Sequence, residues 1–127
     1  MEVLINEIRQ EGLNIIVFFS SNFGDAKGFW IGENPKINEF YQVEVDINDK
    51  LIWNQNIIKN IEHNYSVHLI NNLICISGLL DSLDNDGYAV LRIGDNIVPF
   101  IATGKPFKIG SMIKLFTKSI SMSPIDY

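Results

Sequence analysis

The 127-residue chain contains a single cysteine, Cys75, so it can form no internal disulfide and carries no paired C-x-x-C. That thiol stands in the apolar run Leu73-Ile74-Cys75-Ile76, where cysteine serves as a small hydrophobe, and neither His63 nor His68 is arranged beside it as a base. Long hydrophobic runs are also missing. The longest charge-free stretches, 13–23 and 65–80, are too short or too broken by Asn, Ser and His to cross a bilayer core of ~30 Å, which takes roughly 20 apolar residues. The opening Met1-Glu2-Val3-Leu4-Ile5-Asn6-Glu7 has neither the basic region nor the cleavage site of a secretory signal. A cytoplasmic protein with no membrane span is therefore expected. The chain holds no phosphate-cradling glycine loop, no nucleophile-elbow serine and no H-E-x-x-H, so an enzyme is not expected, nor a cofactor.

What is present suits one domain, residues 1–127: 46% of the residues are hydrophobic, enough to bury a core without metals or cross-links. The net charge of −5 is uneven. Up to Thr103 there are 14 acidic and 6 basic side chains, whereas 104–127 holds four Lys and one Asp. Such a field repels phosphate backbones and favours a basic protein partner, which makes nucleic acid a poor candidate.

Tyr41-Gln42-Val43-Glu44-Val45-Asp46-Ile47 alternates apolar and polar residues at period two, the pattern of a half-buried strand with an acidic outer face. Asn48-Asp49-Lys50 supplies turn chemistry, and Leu51-Ile52-Trp53 reads as the return strand of a hairpin. Residues 13–19 are rich in β-branched and aromatic side chains and read as a strand. Residues 3–10 fit either a helix or a strand, and Glu11-Gly12 favours the hairpin. Lys27 to Ile31 suggests a further strand, ended near Pro35. The spacing of Ile57, Ile58 and Ile61 within 56–62 predicts the one short helix.

Asn71-Asn72, Asp84-Asn85-Asp86-Gly87 and Gly94-Asp95-Asn96 each separate apolar runs with residues that tolerate tight turns. Pro99 places its strand at an edge or a bulge, and 109–120 reads as one long last strand. No internal repeat is visible. Together these features predict a mainly β fold, a small antiparallel barrel or two packed sheets resembling an OB-fold meander, with one short helix.

Several clusters invite a chemical reading. Ser82 to Gly87 resembles the start of an EF-hand loop but has Ser82 at its first position and Ile93 where the bidentate Glu belongs, so a solvated turn is the expectation. Glu39, Glu44, Asp46 and Asp49 could be paired catalytic carboxylates, yet a strand simply presents Glu44 and Asp46 side by side to water or to a basic partner. His63 and His68, five apart, suit neither face of a helix nor face of a strand, so no metal is expected. Lys105, Lys108, Lys114 and Lys118 near Phe107 and Phe116 are the one place where cations and aromatics mix as in a single-strand-binding groove, although lysines guarding an edge strand explain them more cheaply.

The run 41–47, followed by Leu51-Ile52-Trp53-Asn54-Gln55-Asn56-Ile57 and by a hairpin-rich C-terminal half closing on Ser123-Pro124, resembles small acidic immunity proteins of bacterial toxin modules, including those of contact-dependent growth inhibition. The resemblance implies a non-enzymatic inhibitor that binds a basic, nuclease-type toxin domain and blocks its active site or its access to substrate. The contact residues expected on charge are Glu39, Glu44, Asp46 and Asp49, with Asp81, Asp84 and Asp86 as a second cluster. The alternative is an OB-like module that binds an oligonucleotide or a small ligand. Oligomeric state is open.

Overall fold

The structure, a computed structural model, describes residues 1–125, and those residues contain twelve strands and no helix. In chain order the strands are β1 (Glu2–Glu11), β2 (Asn14–Ser21), β3 (Gly24–Trp30), β4 (Phe40–Ile47), β5 (Leu51–Ile52) and β6 (Ile57–Lys59). They continue with β7 (Ser66–Ile70), β8 (Leu73–Leu83), β9 (Tyr88–Ile93), β10 (Asn96–Thr103), β11 (Met112–Thr117) and β12 (Ile120–Pro124). Five close a barrel in the order β1-β2-β3-β12-β4; the others form a sheet ordered β5-β10-β9-β8-β11-β6, with β7 paired to β8. A bridge between Trp53 and Ile57 draws the two ends of that sheet together, so it nearly closes as well.

The two units share a wiring plan. Each has a three-strand meander, β1-β2-β3 or β8-β9-β10, and a fourth strand, β4 or β11, antiparallel to the first strand of its meander. A closing strand then lies parallel to the third, β12 on β3 and β5 on β10, and the fourth strand pairs antiparallel with β12 in one unit and with β6, just beyond β5, in the other. The closing strands are exchanged. The chain leaves β4 of the barrel to close the other sheet with β5 and β6, and it leaves β11 of that sheet to close the barrel with β12. A repetition invisible in the residues is thus present in the topology, because strand pairing constrains only which positions are apolar.

The exchange overturns two expectations. β4 and β5 are not a hairpin but belong to different sheets, and 109–120 is not one strand but β11 and β12, again in different sheets. Asp49 ties the two crossings together at one point: its carboxylate accepts hydrogen bonds from the Thr117 hydroxyl and from the Lys118 backbone N–H (3.2 Å). The short helix is absent too. Ile57 pairs with Leu115 as part of β6, and Ile61, which would have completed a helical face, is 88% exposed. Asn60, buried, holds the chain out of a helix by donating to the Asn64 backbone and side-chain oxygens and accepting from the Glu62 N–H.

Other local readings agree with the structure. Residues 3–10 lie in the β1–β2 hairpin, Asn71 and Asn72 both take positive φ between β7 and β8, and Pro99 sits where β10 has β9 on one side only. Strand alternation sends Val17, Phe19, Val43, Val45 and Met122 into the barrel and Ile76, Leu80, Leu91 and Leu115 into the second unit. These side chains form one continuous apolar cluster. The units also touch at the start of β3, where the Val67 N–H donates to the Phe23 carbonyl (2.9 Å) and the Phe23 and Tyr65 rings meet edge to face.

Candidate partner interface

β4 reads as the alternation demands: Val43 and Val45 are buried, while Gln42, Glu44 and Asp46 are exposed on the outer barrel face. Ser123 lies opposite Glu44 and Ser121 opposite Asp46 on β12, and Glu2 lies opposite Gln42 on β1. Residues directly opposite in a ladder share a face, so Glu2, Glu44 and Asp46 project together. Asp95 joins them from the β9–β10 turn, lining with Gln42 and Glu44 a surface cleft of about 270 Å³. The Met1 ammonium is held at this edge by a 2.8 Å bond to the Val43 carbonyl. Burial lowers its pKa, while the negative charges of Glu2 and Glu44 hold it up.

No side-chain cation forms an ion pair with this face among the described residues. Among the described residues there are two ion pairs, Arg9 with Glu7 (2.8 Å) and Arg92 with Asp81 (3.2 Å). The charge asymmetry of the sequence becomes an asymmetry between the units. Residues 1–47 with 119–125 hold eight acidic and three basic side chains, whereas 48–118 holds six and seven.

Of the seven carboxylates expected at the contact, Glu44 and Asp46 stand on the assembled face. Asp49 is taken up by Thr117 and Lys118 at the strand crossing. Glu39 precedes β4 and accepts a bond from the Tyr41 hydroxyl (3.4 Å). Asp81 is paired with Arg92, and the Asp84 carboxylate accepts the N–H groups of Asp86 (2.8 Å) and Tyr88 (3.0 Å) to shape the β8–β9 turn. That leaves Asp86 exposed at the Gly87 end, next to Ala102, while Glu44 faces the Asn96–Val98 end of the same β10 strand. Four to six residue steps along β10 separate them, roughly 13–20 Å. The two acidic clusters are therefore not one surface. Glu2 and Asp95 carry no signal in the linear chain; only the β1–β4 pairing and the packing of β10 on β4 bring them in.

The C-terminal lysines are spread along β11, the loop before it and the crossing after it. Lys114 faces outward from β11, Lys118 lies at the crossing into β12, and Lys105 and Lys108 are exposed in the β10–β11 loop. Phe107 there packs edge to face on Trp53 (5.6 Å) under the Lys59 ammonium. His63 sits at positive φ in a loop and His68 pairs with Cys75 on β7; no group of three His, Cys, Asp or Glu among the described residues could hold a metal ion. Cys75 is fully buried, and burial pushes its thiol pKa up against a smaller opposing pull from Lys114. A protonated, inaccessible thiol is a poor nucleophile. Ellman's reagent is accordingly expected to leave the native protein unmodified over hours and to titrate one thiol after denaturation; rapid native reaction would contradict the packing of β8.

No family model, curated protein or solved structure matches this chain.

Proposed function

We propose that the chain is a non-enzymatic binding protein of the immunity type, which neutralises a toxin domain with a basic surface by covering its active site or its path to substrate. The observation that carries this reading is the outer barrel face of Glu2, Glu44, Asp46 and Asp95, with no side-chain cation within ion-pairing distance among the described residues. Such a face steers a cationic partner to it and then pairs with its lysines and arginines. The neighbouring Ser121 and Ser123 hydroxyls add short, uncharged hydrogen-bonding groups to the same surface.

The test is a tagged pull-down against the products of adjacent genes, followed by Glu44→Lys and Asp46→Lys. Both side chains are exposed, so the variants should fold. Each reversal is expected to weaken partner binding about tenfold, and the pair roughly a hundredfold, with the loss shrinking at high salt. A partner whose affinity ignores the reversals would move the interface elsewhere. Failure to retain any such product at low salt would sink the reading.

A second reading rests on topology. The barrel order β1-β2-β3-β12-β4, with one parallel contact between its third and last strands, resembles the five-stranded Greek-key barrel of OB-folds, which bind oligonucleotides and oligosaccharides. Salt-sensitive retention on single-stranded DNA would favour it.

A further inference from the structure

A half-open cavity of about 180 Å³ lies at the seam between the two units, apart from the acidic face. The barrel supplies Ile16 and Phe29, opposite each other on β2 and β3, and Lys27 two residues before Phe29 on the same outer row. Ile74 of β8 forms the other wall, and Lys118 reaches it from the crossing between β11 and β12. Glu11 stands at the rim. Neither lysine lies within ion-pairing distance of a carboxylate among the described residues, Glu11 included. The cavity thus combines three apolar side chains, Ile16, Phe29 and Ile74, with two lysines that make no ion pair among the described residues. Its place at the strand exchange matters: neither unit alone has both halves of it.

We infer that this seam cavity binds a small monocarboxylate with an apolar body. Two cations over a hydrophobic pocket select an anionic head on an aliphatic or aromatic tail, because the head gains charge-assisted hydrogen bonds while the tail leaves water. At about 30 Å³ for each water displaced, the space takes the volume of roughly six waters, which suits a ligand of some six to nine non-hydrogen atoms. The Glu11 charge at the rim disfavours dianions, so a single carboxylate is the matched charge.

The probe is 4-methylpentanoate, titrated into the ¹⁵N-labelled full chain, with 4-methylpentanamide as its neutral counterpart of the same shape. The acid is expected to shift the backbone amides of Gly28, Phe29, Ile74 and Ser119 with a dissociation constant of about 1 mM, and the amide to bind at least tenfold more weakly. Lys27→Met and Lys118→Met keep the aliphatic stems and lose the charges; each is expected to weaken the acid about tenfold without changing the amide, and the spectrum itself reports whether the variant is folded. Equal titration by acid and amide would overturn the role of the lysines. No shift of the seam amides by 20 mM acid, or shifts confined to other residues, would overturn the site.

Discussion

Ending the chain after Ser119, and so removing β12, is expected to unfold the whole protein and not only its barrel. β12 contributes Ile120 and Met122, both fully buried, and burying two such side chains is worth about 3–6 kcal/mol. It also pairs with β3 on one side and β4 on the other, so its loss opens two strand edges at once. A domain of this size holds only about 5–15 kcal/mol in total. The barrel cannot then survive, and the second unit is wired through it: β5 follows directly from β4, β7 is anchored to the Phe23 carbonyl, and the apolar cluster is shared. Denaturant melts followed by tryptophan fluorescence and by far-ultraviolet circular dichroism should show one coincident transition for the intact chain and none for the shortened one. Met122→Asp, which buries an unpaired carboxylate without shortening the chain, is expected to act in the same direction. If the shortened chain keeps half of its β signal and melts cooperatively, the two units fold independently and the exchange of strands does not couple them.

Gly24→Ala is expected to be the most damaging single methyl addition in the chain. Gly24 opens β3 at φ +133°, a backbone conformation that L side chains rarely adopt, and a Cβ built there runs into the Val67 carbonyl oxygen. The neighbouring Val67 N–H bonds to the Phe23 carbonyl, so the chain cannot retreat without breaking the contact between the units. Strain and overlap together are worth about 4 kcal/mol, which for 127 residues lowers the melting temperature by roughly 15 °C. Gly12→Ala separates the two terms. Gly12, in the β1–β2 turn, also has positive φ (+61°) but no atom within 4 Å of the added carbon, so its cost is expected to stay near 1 kcal/mol. Similar losses at the two positions would mean that the close approach of β3 and β7 carries no energetic weight.

Much of the local structure was legible in the residues, and each success has a local cause. Val43 and Val45 alternating with Glu44 and Asp46 made β4 readable because side-chain direction in a strand depends only on position parity. Asn71-Asn72 made its turn readable because asparagine tolerates positive φ better than most residues, and both take it here. The failures were non-local. The isoleucines of 56–62 have a helical spacing, but Ile57 is held by Leu115, fifty-eight positions away, and tertiary pairing outweighs the propensity of a seven-residue segment. Residues 48–50 end β4, but as a bend that leads out of one sheet and into another and not as a hairpin turn; Asp49 serves the crossing, where its bonds go to Thr117 and Lys118. That choice also emptied part of the expected site.

The linear chain settles the alternation of its strands, most of its turns, the burial of Cys75 and the excess of acid, because each follows from neighbouring residues or from a simple count. Only the tertiary structure decides which carboxylates stand together and which cations stay unpaired. Glu2, Glu44, Asp46 and Asp95 meet because β1 pairs with β4 and β10 packs beside it, and Lys27 meets Lys118 because the chain exchanges its closing strands between the two units. The physical reason is that hydrogen-bonded strand pairing is nearly indifferent to side-chain identity, so many partnerships suit the same alternating pattern until the whole core is packed at once.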